Sequence, residues 1–287
     1  MNPSTEVTTR TVRAEDGATV HVRFHRRPED PSAPVLVCMP AMGTRAVSYT
    51  PLAEALVRAG FQVVLGELRG QGTSSVHVRR GVRYGYHEMV SYDYPALFRA
   101  VAAAFPGAPR FLLGHSLGGQ LGALYLSQEP HMAAGAVLVG APSCHYRGWP
   151  FPQSLGMLAG FRLAAAFSSA YGYFPGRRIG VLGNDSAQVL RDMATQVRTG
   201  RYRVPSSPVD FEPSLAGLDL PVLAVTVKGD AMAPPAGVRG LSDKLTSARV
   251  THWELVLGEG VPGSRHYGWI RDHASLVDRV RTFVDQV

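Results

Sequence analysis

Only two cysteines, Cys38 and Cys144, occur among the 287 residues, one inside an apolar run and one in a loop-like stretch. No disulfide framework can be built from them, so a reducing cytoplasm is the expected compartment. Lysine is almost as scarce, with Lys228 and Lys244 the only two among 29 basic residues. The net charge of +7 is therefore carried by arginine, in scattered small groups such as Arg79, Arg80 and Arg83 without the aromatic interleaving of a nucleic-acid surface. Nucleic acid is not an expected partner. Long apolar runs are missing too. The longest uncharged stretch, residues 111–128, holds four glycines, a histidine and two glutamines, which makes it a poor membrane span. Residues 1–10 lack the apolar core of a secretion signal. Gly and Pro follow no fixed period, and 45% hydrophobic against 18% charged residues excludes disorder as the whole account. The chain is expected to be soluble, with a sizeable core in one large or two ordinary domains.

Periodicity supplies the architecture. Two alternating segments, 6–12 and 19–25, flank the turn-like Glu15-Asp16-Gly17 and read as an antiparallel hairpin. Continuous apolar strands follow at 34–38, 61–65, 110–113, 134–139, 221–227 and 250–257, alternating with helices at 50–60, 91–105, 117–128 and 272–284. Such strands belong to a mostly parallel sheet covered on both faces, hence an α/β fold. The rhythm stops between 141 and about 208. No strand is expected there, only an apolar helix over 154–167, a Gly/Pro-rich stretch over 171–183 and a helix begun by Asn184 or Asp185. The expected organisation is a core of residues 1–141 and 209–287 interrupted by a helical cap, 142–208.

Gly114-His115-Ser116-Leu117-Gly118 fits the G-x-S-x-G elbow, with an apolar strand entering and a helix leaving. Glycines are needed there because the serine occupies a tight, strained turn. A serine hydroxyl is a weak nucleophile and needs a base, itself oriented by an acid. In elbow architectures the partners follow the serine in the order acid, then histidine. Asp230, just past the 221–227 strand, is the candidate acid, with Asp219 and Glu254 as rivals. His266, in a Gly/Pro-rich loop ahead of the last helix, is the candidate base; His273 falls too late. Backbone N–H groups of Leu117 and of Met42, favoured over Ala41, are the candidate oxyanion donors.

On these residues the chain resembles an α/β-hydrolase over essentially its whole length. Glu67-Leu68-Arg69-Gly70-Gln71-Gly72-Thr73-Ser74 resembles the Asp-x-Arg-Gly-x-Gly-x-Ser loop of the esterase, lysophospholipase and serine-aminopeptidase-like branches, with Glu67 replacing the usual Asp. Pro40-Ala41 replaces the usual His-Gly. Gly172-Tyr173-Phe174-Pro175-Gly176 and the helix after it resemble the cap of a bacterial branch of such hydrolases with little assigned biochemistry. Neither replacement removes a catalytic atom.

The expected activity is serine hydrolysis of a carboxylic ester of a hydrophobic small molecule through an acyl-enzyme. Acyl transfer, cyclisation or amide cleavage would use the same Ser116, His266 and Asp230. A catalytically dead fold used as a binding module is the reading from another class; a fluorophosphonate probe would separate it, since a binding module should not react. Ala41, His115, Trp149, Phe161, Phe174 and Tyr267 are candidate pocket residues, although apolar residues at helical spacing in 155–167 also suit packing of cap on body. Gly70-Gln71-Gly72 lacks the third glycine of a dinucleotide fingerprint, and there is no Walker motif, His-Glu-x-x-His or Cys/His cluster. No cofactor and no metal are expected, and the pattern leaves a homodimer open.

Overall fold

The alternation of the first segments produces a hairpin. In the computed structural model, which describes residues 6–287, β1 (Glu6–Arg13) pairs antiparallel with β2 (Thr19–Arg26). The first five residues of the polar 1–10 stretch lie outside the described residues. Then come β3 (Val35–Met39), α1 (Thr50–Arg58), β4 (Gln62–Leu65), the short α2 (Tyr86–Glu88), α3 (Tyr94–Ala104), β5 (Arg110–His115), α4 (Leu117–Gln128) and β6 (Gly135–Val139). The segment before the next sheet strand holds α5 (Gln153–Tyr171), β7 (Phe174–Pro175), α6 (Gly176–Ile179), β8 (Asn184–Asp185), α7 (Ala187–Thr199) and α8 (Phe211–Gly217). The chain closes with β9 (Pro221–Val227), α9 (Pro235–Ser242), β10 (Arg249–Leu255), α10 (Arg265–Gly268) and α11 (Ala274–Val284).

Eight strands form one sheet in the order β1-β2-β4-β3-β5-β6-β9-β10, antiparallel at the hairpin end and parallel from β4 to β10. Its central strands are apolar throughout because both faces are covered. Val35, Val37 and Met39 of β3 enter one core, and Leu36 and Cys38 enter the other. One core packs beneath α3 and α4, the second beneath α1 and α11. Among the described residues no helix is long and apolar enough to cross a membrane.

Several elements depart from the sequence expectation. Residues 174–175 and 184–185 pair as a two-stranded antiparallel ladder where no strand was expected, since two residues carry no periodicity. Asn184 and Asp185 therefore do not begin a helix; Ser186 caps α7 instead, accepting from Gln188 N–H at 3.2 Å. The helix expected from 91 begins earlier, at Tyr86, and passes through a π-helical turn, Met89–Asp93, before α3. Helices α8 and α9 were not anticipated. The first has only seven residues, capped by Asp210, and the second starts at Pro235 in a Pro-Pro pair that also reads as loop.

Candidate active site

Strand β5 ends where Ser116 turns the chain into α4. Ser116 has φ 51° and ψ −119°, one of two non-glycine residues with positive φ among the described residues. Close approach forces its neighbours to be glycine: a Cβ on Gly114 would lie 2.3 Å from Gly119 Cα, and one on Gly118 2.5 Å from the Pro40 carbonyl oxygen. Ser116 N–H donates to Val139 O at 3.0 Å, tying the turn to the end of β6. The serine is half-buried. The N–H of Leu117, first residue of α4, is one of the helix-start donors without an intrahelical acceptor.

Asp230 follows β9 through Gly229, whose φ of 77° makes the turn. Its Oδ1 accepts from the N–H groups of Met232 (2.8 Å) and Ala233 (3.1 Å), which leaves Oδ2 facing His266 Nδ1 at 2.7 Å. His266 is not in an open loop: it lies in the helical turn α10, begun by Ser264, whose Oγ accepts from His266 N–H at 3.2 Å. Both side chains are essentially buried. His266 Nε2 has no hydrogen-bond partner, and Ser116 Oγ forms none with it. The other acids, Asp219 and Glu254, are exposed and make no bond to His266. His273 precedes α11 with its Nδ1 2.9 Å from Ile270 O.

After β3 the chain turns at Ala41 and Met42. Ala41 N–H donates to the Tyr49 hydroxyl at 3.1 Å, so it is already engaged, whereas Met42 N–H has no acceptor among the described residues. The same hydroxyl is 2.6 Å from His115 Nδ1. The hydroxyl thus bridges the Ala41 N–H and the His115 ring. Burial, and secondly the neighbouring His266, hold the His115 pKa well below the ordinary histidine value, so His115 is neutral. Its ring centroid is 4.6 Å from that of His266 and 4.9 Å from that of Trp269. Tyr49 thus joins the turn after β3 to the elbow. Sequence reading missed it, because a tyrosine one residue ahead of a helix has no spacing signature.

Two cavities flank this arrangement. One, of about 750 Å³, is lined by Met42, Thr44, Arg177, Leu182, Tyr267 and neighbours. The other, of about 610 Å³, is lined by Trp149, Met157, Phe161, Phe174, Leu190 and Ala231, which follows Asp230. Val181 and Leu182 border both. Leu182, at φ 56°, lies directly on the turn after β3, where a Cβ on Gly43 would come within 1.9 Å of its carbonyl oxygen. Of the candidate pocket residues, Trp149, Phe161 and Phe174 share one cavity wall and Tyr267 lines the other cavity. Ala41 and His115 line neither, since both are packed in the interior and held through Tyr49. Ser116 lines neither of the two cavities.

The 67–74 loop braces the site. Arg69 is held between Asp93, at 2.6 Å, and Asp16 of the hairpin turn. Gly72, at φ 44°, leaves room for Glu67, whose Oε2 would be 1.9 Å from a Cβ there. Burial pushes Glu67 up to about 7, against the Ala46 N–H that donates to it at 3.0 Å. Gln71 Nε2 donates to Asn184 O at 3.0 Å, so the loop also grips β8.

The strand order and the serine at the strand-to-helix turn define an α/β-hydrolase. Residues 30–252 match the model of the family described as serine aminopeptidase, S33, and the chain belongs to that family. It is similar to lysophospholipase L2 of Escherichia coli K12, at 30% identity over 131 residues covering 43% of this chain and 36% of that protein. It is also similar to homoserine O-acetyltransferase of Deinococcus radiodurans, at 27% identity over 206 residues covering 60% and 57%. The chain spans less than two thirds of the length of these curated relatives. The fold matches the crystal structure of a hydrolase from Pseudomonas aeruginosa PA01, with TM-score 0.61 and 18% identity over 96% of this chain and 98% of that one.

Proposed function

We propose that the protein is a serine hydrolase that cleaves a carboxylic ester of a hydrophobic small molecule through an acyl-enzyme, with residues 142–208 as its cap. The observation that carries this reading is that the ends of the parallel strands hold both an elbow serine at φ 51° and a buried His266–Asp230 couple, bonded at 2.7 Å. Ser116 Oγ attacks the ester carbonyl as His266 Nε2 takes its proton. Asp230 fixes the imidazole through Nδ1–H and stabilises the imidazolium. The Leu117 and Met42 N–H groups receive the oxyanion. His266 then gives the proton to the departing alcohol, and water attacks the acyl-serine by the reverse path. The cavity lined by Trp149, Phe161 and Phe174 suits the apolar part of the ester.

The similarity to a lysophospholipase and to an O-acetyltransferase supports acyl chemistry at both ends, hydrolysis and transfer to an alcohol. The test is labelling with a fluorophosphonate probe together with turnover of short p-nitrophenyl esters. Wild type should label and turn over. Ser116→Ala should do neither while melting like wild type, and Asp230→Asn should lose about 10⁴ in kcat. Turnover of Ser116→Ala at the wild-type rate would end the reading, and a wild type inert to the probe would favour a binding module.

A further inference from the structure

The surface of the 142–208 segment is unlike the rest of the molecule in two ways at once. The first is apolar exposure. Among the described residues, eleven large apolar side chains are exposed, and six of them lie between 151 and 181: Phe151, Leu155, Leu163, Phe167, Ile179 and Val181. Phe151 is 80% exposed and Leu163 70%. Helix α5 has a single charged residue, Arg162, in its 19 positions. Its inward face packs Ala165 and Ser168, while Leu155, Ala159, Leu163 and Ala166 recur at three- and four-residue spacing on an exposed stripe. A surface helix ordinarily turns such a stripe inward and shows water a charged face. Here the apolar stripe faces out.

The second is charge. Residues 142–208 contain eight arginines and two acids. Both acids, Asp185 and Asp192, are buried. Among the described residues only Arg201 of the eight has a carboxylate partner, Asp210 at 3.7 Å. Arg147, Arg162, Arg177 and Arg178 are exposed on or beside the elements that carry the apolar side chains.

We propose that the outer face of α5, with Phe151 and the 176–181 turn, is a docking surface for an anionic lipid layer. Exposed apolar side chains on a nearly uncharged helix suit the boundary between headgroups and acyl chains. Uncompensated guanidiniums beside them suit lipid phosphates. A second copy of the chain satisfies only half of this, since apposing two such faces brings unpaired guanidiniums together with no exposed acid from either segment. The inference rests on the composition of this surface and not on the chemistry at Ser116. It has a consequence for access, because Gly156 and Gly160 of the same helix line the apolar cavity.

The experiment is sedimentation of the full chain with vesicles of phosphatidylcholine alone, and of phosphatidylcholine mixed with phosphatidylglycerol, at low and high salt. Wild type should bind the mixed vesicles at low salt and lose most of that binding at high salt. Leu155→Asp/Leu163→Asp should weaken it at least about tenfold, on the burial of two leucines. Arg162→Glu/Arg178→Glu should remove the preference for anionic vesicles. Val256→Asp, at another exposed apolar position, should change nothing. Thermal melting of each variant checks the fold. The proposal is overturned if wild type ignores both vesicles, if the leucine variant binds as wild type does, or if a wild-type dimer that the leucine variant dissolves replaces vesicle binding. Binding that needs the arginines but not the leucines would point to an acidic macromolecule and also overturn it.

Discussion

Tyr49 is the residue on which two parts of the site depend. Its hydroxyl accepts from Ala41 N–H and is hydrogen-bonded to His115 Nδ1, and both partners are buried, so neither finds water if the hydroxyl is removed. An unpaired buried group costs about 1–3 kcal/mol, more than the net worth of the bond itself. Tyr49→Phe keeps the ring and deletes only that oxygen. It should lower stability by about 1–3 kcal/mol in chemical denaturation. It should also lower kcat more than it raises KM, because the turn bearing Met42 and the ring beside His266 both lose a restraint. Unchanged stability and kinetics would mean that packing alone holds the two. Such a role is not legible in sequence. Ser116, Asp230 and His266 stood out by motif and by order along the chain, but the Tyr49 hydroxyl acts across 66 residues, through a fold that the sequence indicates only in outline.

Among the elements, the buried strands were the most legible, because covering both faces makes every position of β3, β4 and β6 apolar or small except Gln62. The shortest elements were the least legible. The β7–β8 ladder depends on long-range partners: Gln71 reaches Asn184 and Asp185, and Tyr84 OH donates to Asp185 Oδ1 at 2.8 Å. Asp185 therefore fastens this ladder to the 67–74 loop and the segment after it. Burial raises its pKa to about 7 from an ordinary 3.8, outweighing the donors Tyr84, Ser186 and Gln71 that favour the ionised form. A carboxyl raised in the folded state contributes stability that is fully present below its unfolded pKa and is lost as pH rises through the folded value. Asp185→Asn cannot ionise. Its stability relative to wild type should climb, by on the order of a few kcal/mol, between about pH 4 and about pH 8. Parallel pH profiles for the two proteins would show that the three donors win and that Asp185 is ionised throughout.

At the scale of the molecule, the parallel strands bring every candidate group to one edge of the sheet. Met42 follows β3, Ser116 follows β5, Gly140 follows β6, and Asp230 and His266 follow β9 and β10. Loops at the carboxyl ends of parallel strands are where open α/β sheets bind ligands. The 142–208 segment leaves from that same edge, after β6, so the break in the strand rhythm was legible in the sequence before the segment's own elements were. Its aromatic residues, however, do not all have the same freedom to act on substrate. Trp149 donates from Nε1 to Ala231 O at 2.9 Å and is nearly buried, and Phe174 is buried, so alanine at either disturbs the support of Asp230 or the ladder. Phe161 is half-buried, on α5, and faces the apolar cavity. It is the cleaner probe. If the cavity holds an acyl chain, Phe161→Ala removes contact from long chains and none from acetyl. In an acyl-length series of p-nitrophenyl esters, kcat/KM should fall about tenfold or more for chains long enough to reach the cavity, with the acetyl ester unchanged. The Trp149→Ala and Phe174→Ala variants should lower the acetyl rate as well. Length profiles for Phe161→Ala that superimpose on wild type would mean that this wall packs the 142–208 segment on the rest of the molecule and that the acyl chain lies elsewhere, along the cavity bordered by Met42 and Tyr267.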